Sequence, residues 1–218
     1  MTSERNSSQT GRGGSGWSTA RRVRFSLMAI IALALALAVA PSATASTADG
    51  GAKNVVIAQA TSDGASIPRS GVQVAPVGGG TVGSENVAIA KSTGCRDCHS
   101  YTTAVQAVLV TSNATTVVPH NLASATNSNC ASCSSYAYAY QYVVSTDGPV
   151  RLSTQGQAEV NQIRQQIAAV TASGAGPYEM TTELDALTAK FKSVIDQDLI
   201  ASGASAHGTT TRSVRLGS

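Results

Sequence analysis

The feature that most constrains this fold is a Cys-x-x-Cys pair that occurs twice, 35 residues apart, inside a segment that repeats around it without a gap. Cys95 and Cys98 reappear as Cys130 and Cys133. The residues that match at the same offset are Asn86 with Asn121, Ala88 with Ala123, Tyr101 with Tyr136, Ala104 with Ala139, Gln106 with Gln141 and Val108 with Val143. A duplication of this kind indicates one supersecondary unit used twice, with the cysteines at its turn.

Alternation within each unit predicts β-strands. Tyrosine recurs at every second position after the second cysteine pair, which places four rings on one face of a strand: Tyr136, Tyr138, Tyr140 and Tyr142. The Ala, Gln and Val shared by the two units lie two residues apart on the opposite face, as a common packing surface requires. We therefore expect each unit to be strand, turn, strand, and residues from about 54 to 145 to form an antiparallel sheet of repeated hairpins.

A third unit, without cysteines, is predicted ahead of these two, from Asn54 to Val77. Asn54-Val55-Val56-Ile57-Ala58 resembles Asn86-Val87-Ala88-Ile89-Ala90. Gln73 follows Asn54 by nineteen residues, whereas the matching glutamine follows its asparagine by twenty in the other units. Chance similarity between Ala- and Val-rich segments is the alternative interpretation.

The hydrophobic period changes after the turn-forming sequence Asp147-Gly148-Pro149. Thr154-Gln155-Gly156-Gln157 has the form of a capping box. Two apolar stripes with spacings of 3 or 4 follow, the first at Val160, Ile163, Ile167 and Val170, the second at Met180, Leu184, Leu187, Phe191, Ile195 and Leu199. They predict a C-terminal αα-hairpin over about residues 154–201, and the expected fold class is α+β.

Residues 1–45 have the composition of a secretory signal peptide. Arg21, Arg22 and Arg24 precede an apolar run from Phe25 to Ala40, and Ala43-Thr44-Ala45 supplies a small-x-small cleavage site. The run is shorter than the roughly 20 residues of a membrane-spanning helix, which disfavours an uncleaved anchor. The general secretory and twin-arginine routes both stay open. The expected organisation of the secreted, extracytoplasmic chain is a flexible start at 46–53, a repeated hairpin region at 54–150, a helical hairpin at 151–201 and a disordered tail at 202–218.

Charge and composition limit the partners. The net charge of +3 belongs to the leader, because residues 46–218 carry ten basic and eleven acidic groups, a balance of −1. No basic patch remains to favour nucleic acid or a membrane surface. The apolar residues are mostly Ala and Val, which bury little area each. A thin core in an exported protein is where disulfides are expected.

Disulfides are the first interpretation of the four cysteines. If each Cys-x-x-Cys segment is a tight turn, its two α-carbons lie within about 7 Å, which suits the pairings Cys95–Cys98 and Cys130–Cys133. Loop entropy instead favours a bridge between the units, at roughly 4 kcal/mol compared with roughly 2 kcal/mol for a bridge within one turn. The connectivity therefore stays open.

Two other chemistries are alternatives. A structural zinc site could use Cys95, Cys98, Cys130 and Cys133, because two equivalent turns could converge on one tetrahedral ion. Covalent haem is suggested by Cys95-Arg96-Asp97-Cys98-His99, which spells C-x-x-C-H. The second unit has Ser134 in place of the histidine, which argues against haem. A thioredoxin-like redox role lacks its βαβ context.

No catalytic motif was found, since H-E-x-x-H, G-x-S-x-G and P-loop patterns are all absent from the sequence. We therefore expect a non-enzymatic protein. Its candidate interaction surface for a protein partner is the tyrosine face, made of Tyr136, Tyr138, Tyr140 and Tyr142. Burial of this face beneath the helices is the competing interpretation, and the oligomeric state stays open.

Four motifs follow one another in a fixed order: N-[LV]-A-x-A at 121–125, C-x-x-C at 130–133, A-Y-Q-[FY]-V-V at 139–144 and D-G-P-V at 147–150. In this order they resemble a family of exported actinobacterial proteins of unassigned function, over about residues 54–200. Some relatives carry a peptide zinc metalloprotease label where the module follows a membrane peptidase portion. The resemblance implies an exported module, or an accessory module of a membrane peptidase system. The leading expectation is a secreted structural or interaction protein stapled by disulfides, with a zinc-binding or thiol-redox protein as the alternative.

Overall fold

The alternating segments form strands that pair with their counterparts in the next unit. A computed structural model describes residues 51–111, 113–201 and 206–217, so the leader assigned to residues 1–45 lies outside the described residues. In chain order the elements are β1 (Ala52–Ala60), β2 (Ser66–Val77), β3 (Thr81–Thr93), β4 (His99–Val110), β5 (Thr116–Ser128), β6 (Ser134–Thr146), β7 (Val150–Leu152), α1 (Thr154–Ala172), α2 (Pro177–Asp198), β8 (Leu199–Ala201) and β9 (Ala206–Leu216).

The strands lie in two main sheets. Sheet A has the order β1-β3-β5 and sheet B the order β2-β4-β6-β9. All pairs within these sheets are parallel except β6 with β9. A small antiparallel sheet joins β7 and β8. The chain therefore coils three times, passing from sheet A to sheet B in each turn, and the prediction of antiparallel hairpins was wrong.

The register places like residues opposite one another. Asn86 pairs with Asn121 in sheet A, and Gln106 pairs with Gln141 in sheet B. The preceding strands continue both rows, because Asn54 pairs with Asn86 and Gln73 with Gln106. Two strands joined by a short turn can pair with each other as a hairpin, or they can lie in two facing sheets as a β-arch. Side chains alternate between the two faces of a strand in the same way in both arrangements. The stacked amides favour the arch.

An asparagine ladder crosses the interior between the sheets. The side-chain amide of Asn54 donates to the Oδ1 of Asn86 at 2.8 Å, and that of Asn86 donates to the Oδ1 of Asn121 at 2.7 Å. The Asn86 amide also reaches the carbonyls of Ala104 and Tyr140 in sheet B. Fully buried amides of this kind are stable only when their hydrogen bonds are satisfied.

A glutamine ladder runs parallel to it. Gln141 donates to Gln106 and Gln106 donates to Gln73, each at 2.8 Å. On either side of the two ladders the interior is filled by small apolar residues, mainly Ala and Val. The two sheets approach closely at Gly71, where an added Cβ would lie 2.7 Å from Val56 Cγ2. The thin core expected from composition is therefore the space between two closely packed sheets.

Both predicted helices are present and cover sheet B. Ser153, rather than Thr154, caps α1 by accepting the amide of Gly156 at 2.9 Å. The buried stripes coincide with the predicted ones and include Ile163, Ile167, Met180, Leu184, Phe191 and Ile195. They pack in one cluster with the outward residues of β4 and β6. Among the described residues, no helix has the length and hydropathy required to cross a membrane.

The four tyrosines lie beneath these helices. Tyr136, Tyr138, Tyr140 and Tyr142 are between 0% and 8% exposed. Tyr138 donates to Asp185 at 2.8 Å, and Tyr142 donates to Asp196. Assigning the tyrosine face as an interaction surface was therefore wrong, since the αα-hairpin buries it as core.

The C-terminal segment forms a strand. β9 pairs along β6 from Thr146 to Tyr136, and Arg212 forms an ion pair with Asp185 of α2 at 2.6 Å. The prediction of a disordered tail at 202–218 was therefore wrong over residues 206–216. The flexible start predicted for 46–53 is likewise shortened, because β1 already begins at Ala52.

Alkaline pH is expected to destabilise the protein through these tyrosines. Burial, reinforced by neighbouring carboxylates, raises the pKa of Tyr138 and Tyr142, and burial also raises the pKa of Tyr136 and Tyr140. Below about pH 10 the phenols are protonated in both the folded and the unfolded states, so the stabilisation is fully present. Above about pH 10 only the unfolded state releases these protons, so the free energy of unfolding falls as pH rises.

Denaturant titrations between about pH 8 and pH 11 check this prediction. Tyrosinate absorbance follows the phenols directly. Tyr138→Phe removes one ionisable group, so its stability should decline less steeply with pH. Ionisation of all the tyrosines of the native protein near pH 10 would contradict the prediction.

Candidate functional site

The cysteines lie at turns between strands, as the sequence predicts, but these turns carry the chain from sheet A to sheet B and are not hairpin turns. Each bend uses the left-handed backbone region at two equivalent positions, with φ of 67° at Gly94 and 52° at Asn129, and 51° at Asp97 and 56° at Ser132. Turns with these conformations reverse the chain within few residues. The sulfurs of both turns lie in one cluster at this end of the interior, next to Ala60 and Ile67.

The two cysteine pairs differ in state and exposure. Cys95 and Cys98 form a disulfide with an S–S distance of 1.99 Å, and both are buried. Cys130 and Cys133 are free and half-buried. The Sγ of Cys133 lies 2.9 Å from the Sγ of Cys98. A hydrogen bond to Cys133, together with burial, raises the pKa of Cys130.

The cysteine sulfurs and His99 can be compared with what a zinc ion and a covalently bound haem require. The ligand atoms of Cys95, Cys98 and Cys133 lie within 4.8 Å of one another. Zinc binds cysteines as thiolates, and the sulfurs of Cys95 and Cys98 are bonded to each other. The oxidised cluster therefore does not supply the thiolate ligands that a zinc site needs. Thioether links to haem would need the same two sulfurs. Nδ1 of His99, the remaining haem-motif residue, lies 2.7 Å from the Ser134 hydroxyl.

A second candidate site is the outer face of sheet A. Its residues form four rows across β1, β3 and β5: Lys53, Glu85 and His120; Val55, Val87 and Leu122; Ile57, Ile89 and Ser124; Gln59, Lys91 and Thr126. The middle rows are apolar, and Val55, Ile57 and Leu122 are between 40% and 55% exposed. Val118, at the end of this face, is 56% exposed.

Sequence reasoning missed this face. The available signal was Val55-Val56-Ile57, which carries large apolar residues on both faces of β1, whereas a strand with one solvated face would alternate. Contiguous exposed apolar surface of this kind marks interaction sites in soluble proteins.

The polar ends of the outer face differ in charge. At one end Lys53 pairs with Glu85 at 3.0 Å, and a shallow groove of about 400 Å³ lies beside them between Val118 and His120. The groove floor includes Gly51 and Gly83, which have no side chain to fill it. At the other end the charged residue is Lys91, which is exposed.

Comparison of the chain with protein-family models, with curated proteins and with solved structures found no match.

Proposed function

We propose that this chain is an exported, non-enzymatic structural protein that is stapled by disulfides and associates with a second copy of itself through the outer face of sheet A. The leader-like composition of residues 1–45 supports export. The Cys95–Cys98 disulfide agrees with an oxidising compartment. Cys130 and Cys133 occupy the equivalent positions of the next turn, and their thiols are free in this structure. The same proposal includes their oxidation to a second disulfide.

The observation that carries the proposal is the unequal covering of the two sheets. The outer face of sheet B is buried under α1 and α2. The outer face of sheet A keeps Val55, Ile57 and Leu122 exposed. An apolar sheet face gains stability by packing on another sheet, at about 10 Å separation.

A second copy fits this face because its charges are self-complementary. The two copies are related by a two-fold axis in the interface, at right angles to the strands and level with Ala88 of β3. This axis places the Glu85 row of one copy on the Lys91 row of the other, and the Val55 row on the Ile57 row. The exposed Val55 then lies near Ile57 of the other copy, and Glu85 lies near Lys91 of the other copy. Both contacts occur twice in such a dimer, and the groove beside Glu85 provides room for the lysine chain of the other copy.

Sedimentation of the secreted protein over a range of concentrations tests the proposal. We expect a monomer–dimer equilibrium, and Ile57→Lys should weaken it by more than about tenfold because it places a charge in the apolar centre. Thr210→Lys, on the exposed part of β9, is the matched control and should leave the dimer unchanged. A monomer at every concentration would overturn the proposal.

Charge reversal tests the orientation. Lys91→Glu would place carboxylates opposite each other and should weaken the dimer. Adding Glu85→Lys to Lys91→Glu should restore much of the affinity. If the double variant associates no better than Lys91→Glu alone, the two-fold arrangement is wrong.

A further inference from the structure

The two Cys-x-x-Cys turns are stacked in register. Arg96 and Ala131 form a parallel bridge between them. The amide of Ala131 donates to the carbonyl of Cys95 at 3.2 Å, and the amide of Ser134 donates to that of Cys98 at 3.1 Å. The backbone therefore holds one cysteine pair directly above the other.

This stacking places a free thiol against a disulfide. The Sγ of Cys133 is 2.9 Å from that of Cys98, compared with about 2.0 Å in a covalent S–S bond. The Sγ of Cys95 lies within 4.8 Å of both. Exchange of the disulfide bond between these sulfurs thus requires only small movements of side chains.

Access to the two pairs is unequal. Cys98 is 0% exposed and Cys95 is 3% exposed, so a reductant in solution does not reach their disulfide directly. Cys130 and Cys133 are only half-buried. Cys133 belongs to the more accessible pair and is in contact with Cys98 of the buried pair.

We propose that the stacked cysteines form an intramolecular thiol–disulfide relay, in which Cys133 transfers the disulfide bond between the buried pair and the outer pair. This activity is additional to self-association and does not depend on it.

The exchange balances without an external reagent. The Cys133 thiolate attacks Sγ of Cys98; the Cys98–Cys133 bond forms, the Cys95–Cys98 bond breaks, and Cys95 leaves as a thiolate. The Cys130 thiolate then attacks Sγ of Cys133; the Cys130–Cys133 bond forms, and Cys98 leaves as a thiolate. The protons given up by Cys133 and Cys130 are taken up by Cys95 and Cys98. The outer pair is oxidised by two electrons and the buried pair is reduced by two.

The order of attack follows from the contacts. Of the two free cysteines, Cys133 is the one whose Sγ is in contact with Sγ of Cys98, at 2.9 Å. Cys130 lies in the same turn as Cys133 and is hydrogen-bonded to it, which raises the pKa of Cys130. Its position makes Cys130 the second, resolving group.

The rate at which dithiothreitol reduces the Cys95–Cys98 disulfide tests the relay. The rate is followed by acid quenching, alkylation and peptide mass spectrometry. In Cys133→Ser we expect reduction to be at least about tenfold slower than in the wild type, because the reductant loses its route to the buried sulfurs. Cys130→Ser keeps Cys133 but removes the resolving thiol, so the first exchange can occur and the second cannot. It should accumulate a Cys98–Cys133 crosslink with Cys95 alkylated.

In urea, where the stack is unfolded, all three proteins should be reduced at the same rate, which checks that the difference arises from the folded structure. Equal rates for native Cys133→Ser and the wild type would overturn the relay. So would a Cys130→Ser protein that contains only the Cys95–Cys98 disulfide at every time point.

Discussion

Deletion of residues 206–218 is expected to unfold the protein or to make it aggregate. β9 pairs with β6 from Tyr136 to Thr146, and without β9 this strand would be an unpaired edge of sheet B. β9 also closes the end of the coil, because the side-chain amide of Asn121 donates to the carbonyl of Thr211 at 3.1 Å. Arg212 holds α2 through Asp185 and lies over the ring of Tyr138. The loss should be several kcal/mol, a large part of the roughly 5–15 kcal/mol that stabilises a typical domain.

Urea unfolding and light scattering of the truncated protein measure this effect. Removal of Ser218 alone is the control and should change little. A disordered tail, which the sequence predicts, could be deleted at no cost. An unfolding free energy within about 0.5 kcal/mol of the full-length value would therefore show that β9 is not a structural strand.

Replacement of Asn86 by alanine should produce the second large effect. Its amide donates to Ala104, Tyr140 and Asn121, and its Oδ1 accepts from Asn54. The side chain is fully buried, so its partners would lose hydrogen bonds without gaining water. Each buried polar group left unsatisfied costs about 1–3 kcal/mol, and the sum is expected to be about 3–5 kcal/mol.

Asn54→Ala is the matched control, since Asn54 is the half-buried end of the same ladder. Because Asn54 itself is half-buried, water can take its place as the donor to the Oδ1 of Asn86, and the expected cost is about 1 kcal/mol. The free energies of unfolding of the two variants, measured in urea, give the comparison. Equal costs would contradict the ladder as a source of stability, because burial is the main difference between the two positions.

Several parts of this fold could be predicted from the sequence. Alternation around Tyr136–Tyr142 predicts a strand, and the stripes of α1 and α2 predict two amphipathic helices; all are present. The placement of the cysteines at turns was also correct. Each of these inferences uses residues that are close in the chain, where periodicity and turn chemistry act.

The candidate sites were harder to predict. The sequence does not show where the helices pack, so it could not show that α1 and α2 bury the tyrosine face. The contact between Cys98 and Cys133 depends on the stacking of two turns, which a hairpin arrangement would not produce. The apolar outer face of sheet A has its signal in Val55-Val56-Ile57, but that pattern also fits a strand buried on both faces.

The sequence by itself determined where strands, bends and helices lie, because these follow from interactions between near neighbours. Only the tertiary structure decided that the strands stack in parallel, that the αα-hairpin buries the tyrosines and that residues 206–216 close the coil. The physical reason is that strand pairing joins segments far apart in the chain. An alternating strand offers the same backbone groups to any partner, and the choice is made by what each pairing buries and which amides, such as that of Asn86, it satisfies.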